Sequence, residues 1–307
     1  MAIRFSLAHL TVLGCAPPEM TYIAARAGYE FVSLRIIMMG SSNELAHNYT
    51  LADNKTMFRQ TKTALSGTGL KVHDIELARI FDGVDLKSYL QAFEVAAELG
   101  ARHVICSVWT SDRTYAAEQF AGMCDLAKPF GLTVNLEFLT WMDIASLRDT
   151  AEILRAARRD NAGILVDVLH FHRSRVRLEE LDELPREWFN FVHLCDAPGE
   201  IPDSKEGLIH TAREERLYVG EGGIDVSAIV DRLPEIPYSI EIPHLERAKE
   251  LGYAEHARRC LETAKTYFAS HLRAEHTPSE TRAVLGRKAS GSTRPKKERP
   301  SHRQSIG

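Results

Sequence analysis

The sequence predicts a (β/α)8 TIM barrel of the α/β class, and three observations carry that expectation. Short runs rich in Val, Ile and Phe alternate with longer stretches of helical periodicity, and the alternation repeats eight times. Such alternation calls for a parallel sheet covered by helices. No glycine-rich phosphate turn follows the first run, which continues AHLTVLGCAPPE, whereas an open doubly wound sheet expects GxGxxG there. Eight units in about 270 residues close into a barrel.

Taken in order, strands are predicted at Ile3–Leu7, Phe31–Leu34, Val72–Leu77, His103–Val108, Thr133–Phe138, Ile164–Val168, Phe189–Leu194 and Tyr238–Ile242. Their near-continuous apolar character suits strands buried on both faces. Between them, Leu86–Leu99 sets Leu86, Leu90, Phe93, Ala97 and Leu99 near one helical face and stops at Gly100. Tyr115–Phe130 stops at Gly131 in the same way, and Ile144–Ala157 spaces Leu147, Ala151 and Leu154 helically. Pro17 and Pro18 suit the opening turn of the first helix, because proline lacks only an N–H that would be unpaired there.

Composition narrows the class. The 307 residues are 44% apolar and 26% charged, with a formal net charge of −4, enough chain for a large core. The five cysteines (Cys15, Cys106, Cys124, Cys195, Cys260) form no CxxC pair, which argues against a disulfide framework or a zinc ribbon. MAIRFSLAHL has no charged start followed by a long apolar stretch, and no run reaches the ~20 apolar residues of a membrane span. A cytoplasmic protein without a membrane partner is expected. The segment 273–307 holds nine Lys/Arg against three Asp/Glu, a net of +6 that leaves −10 on the rest. It is expected to be a disordered basic tail, with residues 1–272 forming one barrel domain. An acidic body argues against a nucleic-acid partner.

In a barrel of this kind the active site lies at the C-terminal ends of the strands. Strand five ends with Glu137. Strand six ends with Asp167, followed by His170 and His172; strand seven offers His193 and Asp196; strand eight offers Glu241 and His244. Taken singly, each has a plain structural reading: Glu137 or Glu241 in a salt bridge, His193 as a satisfied core histidine, Asp167 as a loop cap. On four consecutive strands, with ends about 5 Å apart, they can converge on one ion. Three carboxylates buried together without a cation are electrostatically prohibitive, so their joint placement points to a metal. Three carboxylates with one imidazole form an oxygen-rich shell that favours Mn2+, with Mg2+, Co2+ or Zn2+ as alternatives.

The order LEF, VDVLHFHRS, VHLCDA, RLYVGEGGID and SIEIP resembles the sugar-phosphate isomerase/epimerase family with the xylose-isomerase-like barrel, over about residues 1–270. The resemblance implies Glu137, Asp167, His193 and Glu241 as metal ligands, with His170 and Arg216 on substrate and proton exchange by Glu137 and Glu241. It implies a divalent-metal-dependent isomerase or epimerase of a sugar or related polyhydroxy carbonyl compound, acting through a metal-stabilised enediolate. A dehydratase or eliminating lyase on the same scaffold is the runner-up, and a non-catalytic sugar-binding subunit a further alternative. A homo-oligomer is expected by analogy. Endonuclease IV-type enzymes share Asp167, His170 and His193, but their additional ligands are missing here: strand three ends with Glu76, strand four with Trp109, and the strand-seven loop reads DAPGE.

Departures from the sugar-epimerase pattern matter too. After Glu137 the chain runs FLTWM, apolar where sugar-binding groups are expected, and Trp141 is read either as an aromatic platform or as loop packing. His9 is placed among the substrate-side residues, with a role as plain wall preferred to acid/base work. Arg35, at the end of strand two, suits a carboxylate or phosphate, or else an ion pair. Glu76 falls at a pocket-lining position.

Overall fold

The computed structural model describes residues 3–37 and 49–275. Eight parallel strands close in sequence order: β1 Phe5–Ala8, β2 Phe31–Arg35, β3 Lys71–Ile80, β4 His103–Val108, β5 Thr133–Glu137, β6 Ala162–Asp167, β7 Phe189–Leu194 and β8 Tyr238–Ile240. Each overlaps its predicted segment. The largest departure is β3, which runs three residues further, to Ile80, and shifts register against β4 between Ile75 and Ala78. The expected tail lies outside the described residues, except that the last helix, Tyr253–Glu275, runs into its first three positions.

The helices start and stop where their capping chemistry dictates. Pro17–Ala27 opens with prolines in its first two positions and ends at Gly28, whose φ of 93° only glycine takes without strain. Leu147–Ala157 begins at a capping box: Asp149 N–H donates to the Ser146 hydroxyl, and the Ser146 backbone N–H donates to the Asp149 carboxylate. Such a cap is worth about 1 kcal/mol. The stretch predicted as one helix at Leu86–Leu99 is instead a 3-10 turn, Leu86–Tyr89, leading into a helix at Leu90–Glu98. The cause is tertiary. The Tyr89 hydroxyl accepts from Arg79 N–H and donates to the Arg79 carbonyl, tying the turn to the end of β3.

The main apolar core lies between the barrel and its helices, where residues such as Leu7, Val32, Val104, Val134, Ile164 and Val192 are fully or almost fully buried. A separate small cluster, Leu77, Ile105, Leu165 and Phe191, fills the barrel's interior. Because side chains alternate across a strand, the interior residues lead directly to the rim: Leu165 is two positions before Asp167, and Phe191 two before His193. Pairing puts Asp167 opposite His193, Glu137 opposite Leu165, and His193 opposite Ser239. The four candidate donors therefore share the inner face at the C-terminal rim.

Candidate metal centre

Glu137 and Asp167 are the last residues of β5 and β6, His193 the penultimate residue of β7, and Glu241 the first residue after β8. The Glu241 N–H still bonds the Leu194 carbonyl at 3.0 Å, so the ladder geometry extends to that residue. One donor atom from each of the four lies within 4.8 Å of the others, and all four side chains are buried. His193 Nδ1 stands 3.3 Å from Glu241, 3.6 Å from Glu137 and 3.8 Å from Asp167. None of these contacts is aligned as a hydrogen bond, and neither ring nitrogen has another partner. A buried imidazole with both nitrogens unpaired, ringed by three carboxylates, has the donor chemistry of a divalent-cation site. The residues fit such an ion.

The electrostatics bear out the strain of holding these groups together. Burial drives the Glu137 carboxyl up to about 7 against the pull of His193. Burial works the same way on Glu241, but the charges of His193 and Arg216 outweigh it and hold that carboxyl well below its usual range. Asp167 is likewise held low, burial being overcome chiefly by Arg216. The Arg216 guanidinium lies 2.6 Å from Asp167 and 3.0 Å from Glu241, and its Nε donates to the Ala212 carbonyl. It is therefore a built-in countercharge to two of the carboxylates. Asp167 has a second job, for its other oxygen accepts N–H bonds from Leu169 and His170 and caps the helix Val168–Arg173.

Above the cluster opens a cavity of about 260 Å3, lined on its floor by Glu76, Glu137, His170, Arg216 and Glu241. His170 is buried, its Nδ1 3.1 Å from the Thr140 hydroxyl, and burial depresses its pKa to about 4, so the ring is neutral. Trp141 lines the cavity and stands edge-on to His170 at 5.0 Å, with Arg213 over its ring at 5.9 Å. Arg35 pairs with Glu76 at 2.9 Å on the wall.

Other candidates fall elsewhere. His9 is fully buried, with Nε2 2.8 Å from the Cys15 carbonyl and Nδ1 accepting from Arg35 N–H. It stacks on Tyr49 and is not among the residues lining the cavity, because its ring nitrogens hold the backbone of Cys15 and of Arg35 at the end of β2. Asp196, read from sequence among the possible donors, instead accepts backbone N–H bonds from Ala197, Gly220, Gly222 and Ile224. It clamps the loop after Arg216, and Gly222 is required there because a Cβ would run into the Ala197 carbonyl and the Asp196 carboxylate. His172 contacts Arg173, whereas His244 both caps the helix Leu245–Leu251 and lines the cavity. The sequence reading missed Leu10, Leu13, Ile209, Arg213, Leu245 and Tyr253 among the residues that line the cavity. Nothing in their spacing separates an apolar residue facing a cavity from one packing in a core.

The family profile described as a xylose isomerase-like TIM barrel matches residues 22–264. The chain belongs to that family. An inosose isomerase of Bacillus velezensis is 24% identical over 260 residues, covering 79% of this chain and 87% of that protein. A 3-dehydroshikimate dehydratase of Pseudomonas aeruginosa is 24% identical over 238 residues, 73% of this chain but 35% of that longer protein. The crystal structure of the IOLI protein with a zinc atom superposes with a TM-score of 0.67 at 20% identity, over 85% of this chain and 96% of that one. No described helix is long and apolar enough to cross a membrane.

Proposed function

We propose that this chain is a divalent-metal-dependent isomerase of a small, neutral polyhydroxy ketone, with inososes the first class to test. The observation that carries the reading is the convergence of Glu137, Asp167, His193 and Glu241 beneath a cavity whose floor holds Glu137, Glu241 and His170. These four residues would hold the ion, Mn2+ by the oxygen-rich donor set, with the zinc of the IOLI protein making Zn2+ the second metal to try. Bound there, the ion supplies Lewis-acid polarisation of a carbonyl, which acidifies the adjacent C–H. Glu137 and Glu241 come from the two ends of the four-strand arc β5 to β8, so they flank whatever lies on the floor. A carboxylate oxygen of one takes the proton from carbon, and the proton returns to the neighbouring carbon from the same group or from the glutamate opposite. Neutral His170 positions a substrate hydroxyl. Its Nδ1 accepts from Thr140 N–H at 3.5 Å, so the ring proton sits on Nε2 as a donor.

The charge pattern favours a neutral ketone. The two buried guanidinium groups lining the cavity are committed, Arg35 on the wall to Glu76 and Arg216 on the floor to Asp167 and Glu241, while the exposed Arg213 lies over the Trp141 ring. A substrate carboxylate would have to break a buried ion pair to gain either of those two. The 3-dehydroshikimate dehydratase relative supports a second reading, in which the same proton abstraction is followed by loss of a β-hydroxyl. Proton NMR in D2O with the Mn2+-loaded protein separates the two. Deuterium entering a ring position of an inosose, with all carbons still oxygenated, is the expected result. Aromatic proton signals replacing the ring-alkene signal of 3-dehydroshikimate, with no exchange in any inosose, would replace isomerisation by elimination.

A further inference from the structure

Glu241 differs from the other three donors in where its backbone lies. Glu137, Asp167 and His193 are within their strands, whereas Glu241 follows the last residue of β8. Its N–H still reaches the Leu194 carbonyl of β7 at 3.0 Å. On the other flank β1 has left. The β1–β8 ladder stops at Leu7 and Ile240, and after Ala8 the chain turns into the 3-10 helix His9–Val12. That turn supplies a partner by a side chain. The Thr11 hydroxyl donates to the Ile240 carbonyl at 3.0 Å and accepts from Ile242 N–H at 2.9 Å, bracketing Glu241 from both sides in sequence. The next carbonyl is held as well. Buried His256 stands 2.9 Å from the Ile242 carbonyl through Nε2 and 3.0 Å from the Tyr218 hydroxyl through Nδ1. A carbonyl only accepts, so Nε2 carries the ring proton and the Tyr218 hydroxyl donates to Nδ1.

What this bracket holds still is the carboxylate at the end of the side chain. It lies 3.3 Å from His193 Nδ1 and 3.0 Å from the Arg216 guanidinium, which also donates to the Glu241 carbonyl at 3.3 Å. A group that binds an ion and moves a proton must be placed to within about 0.5 Å, by neighbours that are themselves fixed. Thr11 is buried and lines the cavity, yet its one hydroxyl proton is spent on Ile240, so it has none to give a substrate. We infer that Thr11 is a positioning residue for Glu241, its hydroxyl replacing the strand partner that β8 lacks there and so setting where the carboxylate stands. Valine at this position keeps the side chain's shape but leaves the buried Ile242 N–H without its partner. The inference rests on the reading of Glu241 as metal ligand and proton carrier.

Three full-length variants test this: Thr11→Val, Thr11→Ser and, as a control for lost stability, Thr61→Val. The control removes a buried hydroxyl that bonds only within the helix Lys55–Thr68. Mn2+ affinity of metal-stripped protein is read by paramagnetic resonance of the free ion, and kcat and KM by deuterium uptake into an inosose at saturating Mn2+. Thr11→Val is expected to bind Mn2+ about tenfold more weakly and to lose about tenfold in kcat, with KM within about twofold. Thr11→Ser should return both to within about twofold of wild type, and Thr61→Val should match wild type. Unchanged affinity and kcat in Thr11→Val, an equal loss in Thr61→Val, or a rise in KM alone would overturn the inference. Should Thr11→Val not fold, amide exchange of the wild type decides. Protection of the Ile242 N–H should rise about tenfold more on Mn2+ loading than that of the Lys55–Thr68 amides, since bracket and ion hold the same residue. An equal rise would overturn the inference. Wild-type protein that takes up neither Mn2+ nor Zn2+ removes the metal reading and this inference with it. Mn2+ binding weakened in Thr11→Val, with no exchange into any inosose, keeps the positioning role and removes the isomerase reading alone.

Discussion

Asp167 does three things with two oxygens. One caps the helix Val168–Arg173, and the other takes the Arg216 guanidinium and faces His193. A cap needs only a lone pair, which an amide oxygen provides, whereas a cation needs the charge. Asp167→Asn is therefore expected to keep the helix start and lower metal affinity by at least the 10–100-fold typical of disturbing a metal site's surroundings. Metal content after dialysis against graded free Mn2+ checks this, and unchanged affinity would remove Asp167 from the ligand set. Spacing placed this aspartate at a strand end, but the pairing with Arg216, forty-nine positions away, depends on how the β7–β8 connection folds back. His9 teaches the converse. A histidine just after β1 looks like a cavity residue until two backbone segments are seen to use both of its nitrogens.

The segment from Arg216 to Ile224 shows how one element can be organised by one side chain. Asp196 pairs with Leu217 through the backbone in both directions, at 3.0 and 2.8 Å, and gathers four N–H groups with its carboxylate. An amide at that position offers one acceptor and turns two donors toward other donors. Asp196→Asn should cost about 2–3 kcal/mol in denaturant unfolding, the range for a charged acceptor lost from buried partners, and should loosen Arg216, which the same segment carries. A stability change below about 0.5 kcal/mol would show that the loop holds without its clamp. Elements whose form follows from local periodicity, such as β4 and β7, were legible residue for residue. The split of Leu86–Leu99 was not, because the Tyr89 tether to Arg79 comes from another element.

Across the whole molecule, the destabilising charge is concentrated at one end of the barrel, while the apolar core lies between sheet and helices. Three buried carboxylates set against the single countercharge of Arg216 and one imidazole leave folding linked to whatever cation the cluster takes up. At a hundredfold excess over its dissociation constant, a ligand of the native state adds about 2.7 kcal/mol, or roughly 5–10 °C for a domain of this size. Thermal melts with and without a chelator should differ by that amount, and the difference should fall by about half or more in Asp167→Asn. A melting point indifferent to chelation, in protein shown by elemental analysis to lose its metal, would count against a cation at this cluster.

The amino-acid order alone carries the eightfold β/α rhythm and the polar residue at the end of each of the last four strands. Both are local: periodicity reports burial, and in a parallel barrel every strand end faces the same rim. Which of those polar residues meet, which arginine balances them, and which apolar side chains wall the cavity are settled by distances between elements far apart in the chain. That is why Glu137, Asp167, His193 and Glu241 were legible as polar strand ends, while their meeting, Asp196 as a clamp and the apolar residues that line the cavity emerge only when the barrel closes.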